Sequence, residues 1–160
     1  MLTNSQRTCL LGLALAVVGL GLPCAAQAGI ITKADNTDNL NLGSSWVGGN
    51  APTSGDIANW DAITYTNVTY SLGADLGWQG INVLDSTDTL TFNAGNTLTL
   101  GSAGITSVAV SSGAKNFILN NDVALSADQT WSIASRNASG SASFIVGGSV
   151  NTAGHTLTLS

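Results

Sequence analysis

The sequence predicts an all-β protein: a single-stranded parallel β-helix, or solenoid, with an N-terminal cap, and a β-sandwich as the alternative. Three observations lead there. The chain of 160 residues is 44% hydrophobic but only 8% charged, its nine acidic residues are all Asp, and it carries 19 Gly. A helix-rich fold laced with salt bridges lacks its raw material, whereas Thr, Asn, Ser and Gly suit polar sheet faces and turns. Short apolar runs alternate with polar residues at period two, the signature of strands. Finally, Ala94-Gly95-Asn96-Thr97-Leu98-Thr99-Leu100-Gly101 recurs as Ala153-Gly154-His155-Thr156-Leu157-Thr158-Leu159-Ser160, sharing six of eight positions at a spacing of 59 residues. That spacing exceeds one solenoid coil of about 20 to 30 residues and suits two or three of them.

Residues 1–28 read as a signal peptide. Arg7 precedes the apolar run Leu10 to Leu22, then come Pro23 and the small-residue triplet Ala26-Gln27-Ala28, which predicts cleavage after Ala28. The run of 13 residues is short of the about 20 that a bilayer span needs, so no membrane span is expected in the mature chain. Both cysteines, Cys9 and Cys24, fall in this segment, so a disulfide scaffold is not expected.

Residues 29–62 are expected to form an irregular cap with at most short strands, because Trp46 and Trp60 sit among turn residues such as Gly48-Gly49-Asn50 and Gly55-Asp56. Residues 63–160 are the expected strand-repeat region: Ile63 to Tyr70, Gly80 to Leu84, Thr89 to Phe92, Ile105 to Val110, Asn116 to Leu125, Thr130 to Ala134 and Ser143 to Val150. Alternation places Leu98, Leu100, Phe117, Leu119, Val123, Leu125, Ile133, Val146, Leu157 and Leu159 inside. If the two octapeptides are equivalent, their Leu pairs lie in parallel strands of one sheet, two or three layers and roughly 10 to 15 Å apart. The last coil, with its edge unpaired, is expected to fray and to offer a route to self-association.

The chain resembles the autotransporter-associated β-strand repeat proteins, large bacterial secreted proteins whose passenger regions are read as parallel β-helices. The resemblance is carried by Ser45-Trp46 through Pro52 with Asp56 to Trp60, by Leu98 to Ile105, by Asp122 to Ile133, and by Leu157-Thr158-Leu159-Ser160. It implies secretion to the bacterial cell surface and a structural or adhesive role toward surface glycans or other cells. Family members continue past such a Leu-Thr-Leu-Ser exit, so the chain reads as the N-terminal portion of a longer protein.

The residue inventory narrows the chemistry. Without the signal, Lys33, Lys115 and Arg136 face nine Asp, a balance that argues against a phosphate-tracking nucleic-acid protein. One His and no mature Cys do not make a zinc site, and His155 stands where the first octapeptide has Asn96, which marks it as a turn residue. No metal, cofactor or catalytic residue is assigned, and the chain is read as non-enzymatic. The rival enzyme, a β-helix polysaccharide-degrading type, would need an Asp pair from Asp35/Asp38, Asp56/Asp61 or Asp85/Asp88. The rival binding module would stack sugar rings on exposed Trp46 and Trp60; the competing assignment for both indoles is a plug over the first coil.

Overall fold

The computed structural model describes residues 27–61, 65, 68–84, 89–109, 115–135 and 142–160. Its strands are β1 (Gly29–Thr32), β2 (Asp56–Trp60), β3 (Thr69–Tyr70), β4 (Leu76–Leu84), β5 (Leu90–Phe92), β6 (Thr97–Ala109), β7 (Lys115–Leu119), β8 (Asp122–Leu125), β9 (Gln129–Ser135), β10 (Ala142–Val146), β11 (Val150–Asn151) and β12 (Leu157–Leu159). Every strand pairing among them is parallel. The chain therefore coils, each turn laying strands onto the turn before, to give a β-solenoid of about four turns. The sandwich alternative would require antiparallel sheets.

One long sheet carries β1, β2, β4, β6, then β8 and β9, then β11 and β12, while a short sheet carries β3, β5, β7 and β10. Ala58, Ile81, Ile105, Trp131 and Leu159 stack in register, so successive coils take 23, 24, 26 and 28 residues. Part of the growth is lodged at one corner, and part in the arc leading to the short sheet, where Ile81 to Leu90 is nine positions and Ile105 to Phe117, above it, is twelve. At the corner, Trp78 and Ile81 are three positions apart, but Leu100 and Ile105, which sit above them, are five apart, and a bulge absorbs the difference. One layer further, Leu125 and Trp131 are six apart and the strand breaks into β8 and β9. The opposite corner shrinks: Phe92 to Leu98 is six positions, whereas Leu119 to Val123 and Val146 to Val150 are four.

These lengths correct the expected equivalence of the two octapeptides. Leu98 lies under Val123 and Val150, whereas Leu157 and Leu159 lie over Gln129 and Trp131. The copies do share one sheet, two layers apart, but occupy different columns. The first copy's Ala-Gly turn makes the corner entering the long sheet, and the second copy's makes the corner inside it. Unequal corners shifted the repeat out of phase with the coil.

Period-two alternation puts Leu98, Leu100, Phe117, Leu119, Val123 and Leu125 inside, none more than 3% exposed. Each such side chain contributes about 1.5 to 3 kcal/mol by leaving water. Ile133, Val146 and Leu157 are half-buried. Leu159 continues the inward column but lies on the outermost rung, 71% exposed, with only Trp131 beneath it. Of the run expected from Ile63 to Tyr70, Thr69–Tyr70 is strand among the described residues, and residues 62–64 and 66–67 lie outside them.

Within the segment 29–62 the short strands β1 and β2 form the first two rungs of the long sheet. Between them the chain folds across the open end. The Lys33–Trp46 antiparallel bridge and the Val47 N–H to Thr32 carbonyl bond (2.8 Å) pin one side. Leu40 N–H to Ser71 carbonyl and Asn41 N–H to Leu72 carbonyl, each 3.0 Å, pin the other. A 3-10 turn at Gly43–Ser45 tips Trp46 inward.

Candidate functional site

Trp46 and Trp60 are 2% and 1% exposed, which corrects the sugar-stacking assignment: a ring face must be bare to receive a sugar. Trp46 instead meets Trp60 edge-on at 5.6 Å and Trp78 at 5.7 Å, and its indole N–H donates to the Leu40 carbonyl at 2.8 Å. From there an aromatic line continues through Phe92, Phe117, Phe144 and Trp131, with neighbouring centroids 5.2 to 5.4 Å apart. Such tilted and edge-to-face contacts add about 0.5 to 1.5 kcal/mol per pair beyond burial. The indoles are the plug of the first coil.

The cap also holds a lysine that sequence reading left as a loose charge. Lys33 is 1% exposed: Thr32 pairs with Asn59, so Lys33 follows over the inward-facing Trp60, opposite Trp46. Its Nζ donates to the Ala34 carbonyl (2.7 Å), to the Asn36 carbonyl (3.3 Å) and to Asn36 Oδ1 (3.0 Å), and sits 4.6 Å from the centre of the Tyr70 ring. Burial pulls its pKa down to about 8, against the opposing pull of Asp38 and Asp35. Burial likewise pushes Tyr70 up to about 12 and, with Asp61 beside it, raises Tyr65 further. The Tyr65 hydroxyl lies 3.2 Å from the Lys33 carbonyl oxygen and 3.1 Å from Asp61 Oδ1, within reach of donating to either.

The carboxylates serve local bonds. Asp38 Oδ2 accepts from the Ser44 hydroxyl at 2.5 Å, and Asp56 Oδ2 accepts from the Thr53 N–H and hydroxyl, which lowers its pKa. Asp85 and Asp88 lie outside the described residues. Asp75, Asp122 and Asp128 each accept a backbone N–H from the layer above, from Thr97 (2.7 Å), Ser149 (2.8 Å) and Thr156 (2.8 Å) respectively. Asp128 Oδ1 is also 3.6 Å from His155 Nδ1. Among the described residues no three His, Cys, Asp or Glu side chains gather as a metal site, and no helix is long and apolar enough to cross a membrane.

The surface is not flat everywhere. Where the corner entering the long sheet shortens from six positions to four, the turn Asn93–Asn96 overhangs the turns above it. The step leaves a polar recess of about 450 Å³ whose wall includes Asn96 and Thr97 and whose floor includes Asn120, Asp122, Gly148 and Ser149. Asn121, fully buried, props the overhang by donating through Nδ2 to the Gly95 and Asn96 carbonyls. Sequence reading did not single out Asn121. Its signal was the Asn120-Asn121 pair interrupting the alternation between Leu119 and Val123.

Comparison with protein-family models, curated proteins and solved structures returns no match.

Proposed function

We propose that the chain is a secreted, non-enzymatic structural element of the bacterial cell surface, a passenger-type β-helix rod akin to the autotransporter-associated β-strand repeat proteins. Its role is to extend and to adhere. One observation carries this reading: the solenoid is sealed at its N-terminal end by Trp46 over the first coil and stacked by a repeating parallel register above it. A stack of this kind grows along one axis, and its polymer-like geometry suits a spacer. Among the described residues the first strand starts at Gly29, directly after the Ala28 cleavage point read from the sequence, which supports export of the folded part.

The test is to express the full gene with an epitope tag after Ser160 and to treat intact cells with protease. Tagged material that is cut or released, with Gly29 as its N-terminus by mass spectrometry, is the expected result. A protein retained in the cytoplasm with residues 1–28 attached overturns the reading.

A further inference from the structure

We infer that the recess under the Asn93–Asn96 overhang is a binding site for a neutral saccharide. The inference names where the adhesive part of the proposed function would act, and it rests on that part alone.

The recess is built by backbone lengths, and the fold prevents its filling. A side chain at Gly147 would strike the Asn120 amide, and one at Gly148 would strike the Asn121 carbonyl, so the floor stays bare. Gly95 in the wall holds φ at +102°, a conformation that L residues rarely adopt. Asn121 holds the overhang in place from inside. A cleft that persists for such reasons is preformed, which lowers the ordering cost of a ligand.

The lining chooses the ligand class. It contains no cationic side chain, so phosphate, sulfate and carboxylate ligands have no counter-charge. It offers little apolar surface, which disfavours lipids and aromatic ligands. What it offers is one carboxylate, two side-chain amides and two hydroxyls. Asp122 is exposed and its Oδ1 accepts the Ser149 N–H at 2.8 Å, so sugar hydroxyls would donate to its second carboxylate oxygen. The Asn120 amide can both donate to and accept from hydroxyls, as Thr97 and Ser149 can, while Asn96, whose Nδ2 donates to Asp75 Oδ1 at 3.4 Å, offers its amide oxygen as an acceptor. Vicinal hydroxyls on a pyranose match that mixture of acceptors and donors, and a charge-assisted bond to a carboxylate is the strongest available contact.

The experiment uses the purified chain and a panel of neutral glucose, mannose and galactose disaccharides, α- and β-linked, read by saturation-transfer NMR and then by calorimetric titration of the best binder. Asp122→Asn keeps an acceptor for the Ser149 N–H and should weaken binding at least tenfold. Ser149→Tyr places a ring over the recess from an exposed position and should abolish it. Both variants should melt within a few degrees of the parent. No binding across the panel overturns the inference, and so does binding that survives Ser149→Tyr. Either failure leaves the surface-rod reading standing, since that is decided by protease access on cells.

Discussion

Ala153 holds φ at +51°, in the left-handed region, where its Cβ crowds the following carbonyl. In the first octapeptide the positive angles fall on Gly95 and Asn96, whose types tolerate them; in the second they fall on Ala153 and Gly154. The same peptide thus bends one position earlier in its second setting. Ala153→Gly should stabilise the protein by up to about 1 kcal/mol, the relief of strain less the added chain entropy, measured by urea denaturation. Lys33 yields a pH prediction. Its folded pKa of about 8 lies below the ordinary 10.5, so between these values the unfolded chain binds more protons and stability rises with pH. Tyr70, raised to about 12, and Tyr65, raised further, act oppositely: their contribution is full below pH 10 and lost as pH climbs beyond it. Denaturation midpoints should therefore climb above pH 8, peak near pH 10 and fall beyond. Lys33→Met should erase the climb and keep the fall.

At the level of elements, the strands depend on which face each side chain takes. Leu100, fully buried between Trp78 and Leu125 in its column, should not tolerate Leu100→Asp: an unpaired buried charge costs several kcal/mol, and the variant should show no cooperative melt by circular dichroism. Asn121→Ala removes both bonds that prop the overhang and leaves two carbonyls short of a donor, at a cost of about 1 to 3 kcal/mol; the change should appear in NMR shifts of Gly95 and Asn96. Face assignments of this kind were legible in the sequence because alternation is local, as Leu98, Phe117 and Val123 illustrate. Corner lengths were not. Whether a residue such as Gln79 or Ser102 lies on a strand, in a bulge or in a turn depends on the layer beneath it. For that reason the octapeptides were read as one column. Lys33 escaped for a related cause: its burial depends on a local turn that brings the Ala34 and Asn36 carbonyls back to Nζ and on the Tyr70 ring from a later coil, and no alternation marks either. Trp46 and Trp60 were legible as a pair set apart, and the choice between plug and platform needed the cap's path.

Over the whole molecule, stability should be graded along the axis. β4 and β6 have a paired neighbour layer on each side, whereas β11 and β12 have one. Hydrogen exchange should be slowest in β4 and β6 and fastest in β12, where the apolar Leu159 is 71% exposed. Protection as strong in β12 as in β6 would mean that a further layer, from another copy or another segment, covers that end. The sealed end has a different consequence, an optical one. Three indoles, Trp46, Trp60 and Trp78, lie with centroids 5.6 to 6.4 Å apart at fixed mutual tilts, close enough for their electronic transitions to mix. Trp131 touches Phe144 near the other end and stands outside this group. The circular dichroism of the protein should therefore carry an indole couplet from this group, one that shrinks in Trp46→Phe, which leaves only the Trp60–Trp78 pair at 6.4 Å, so that the opening of the first coil can be followed in the ultraviolet without any added label.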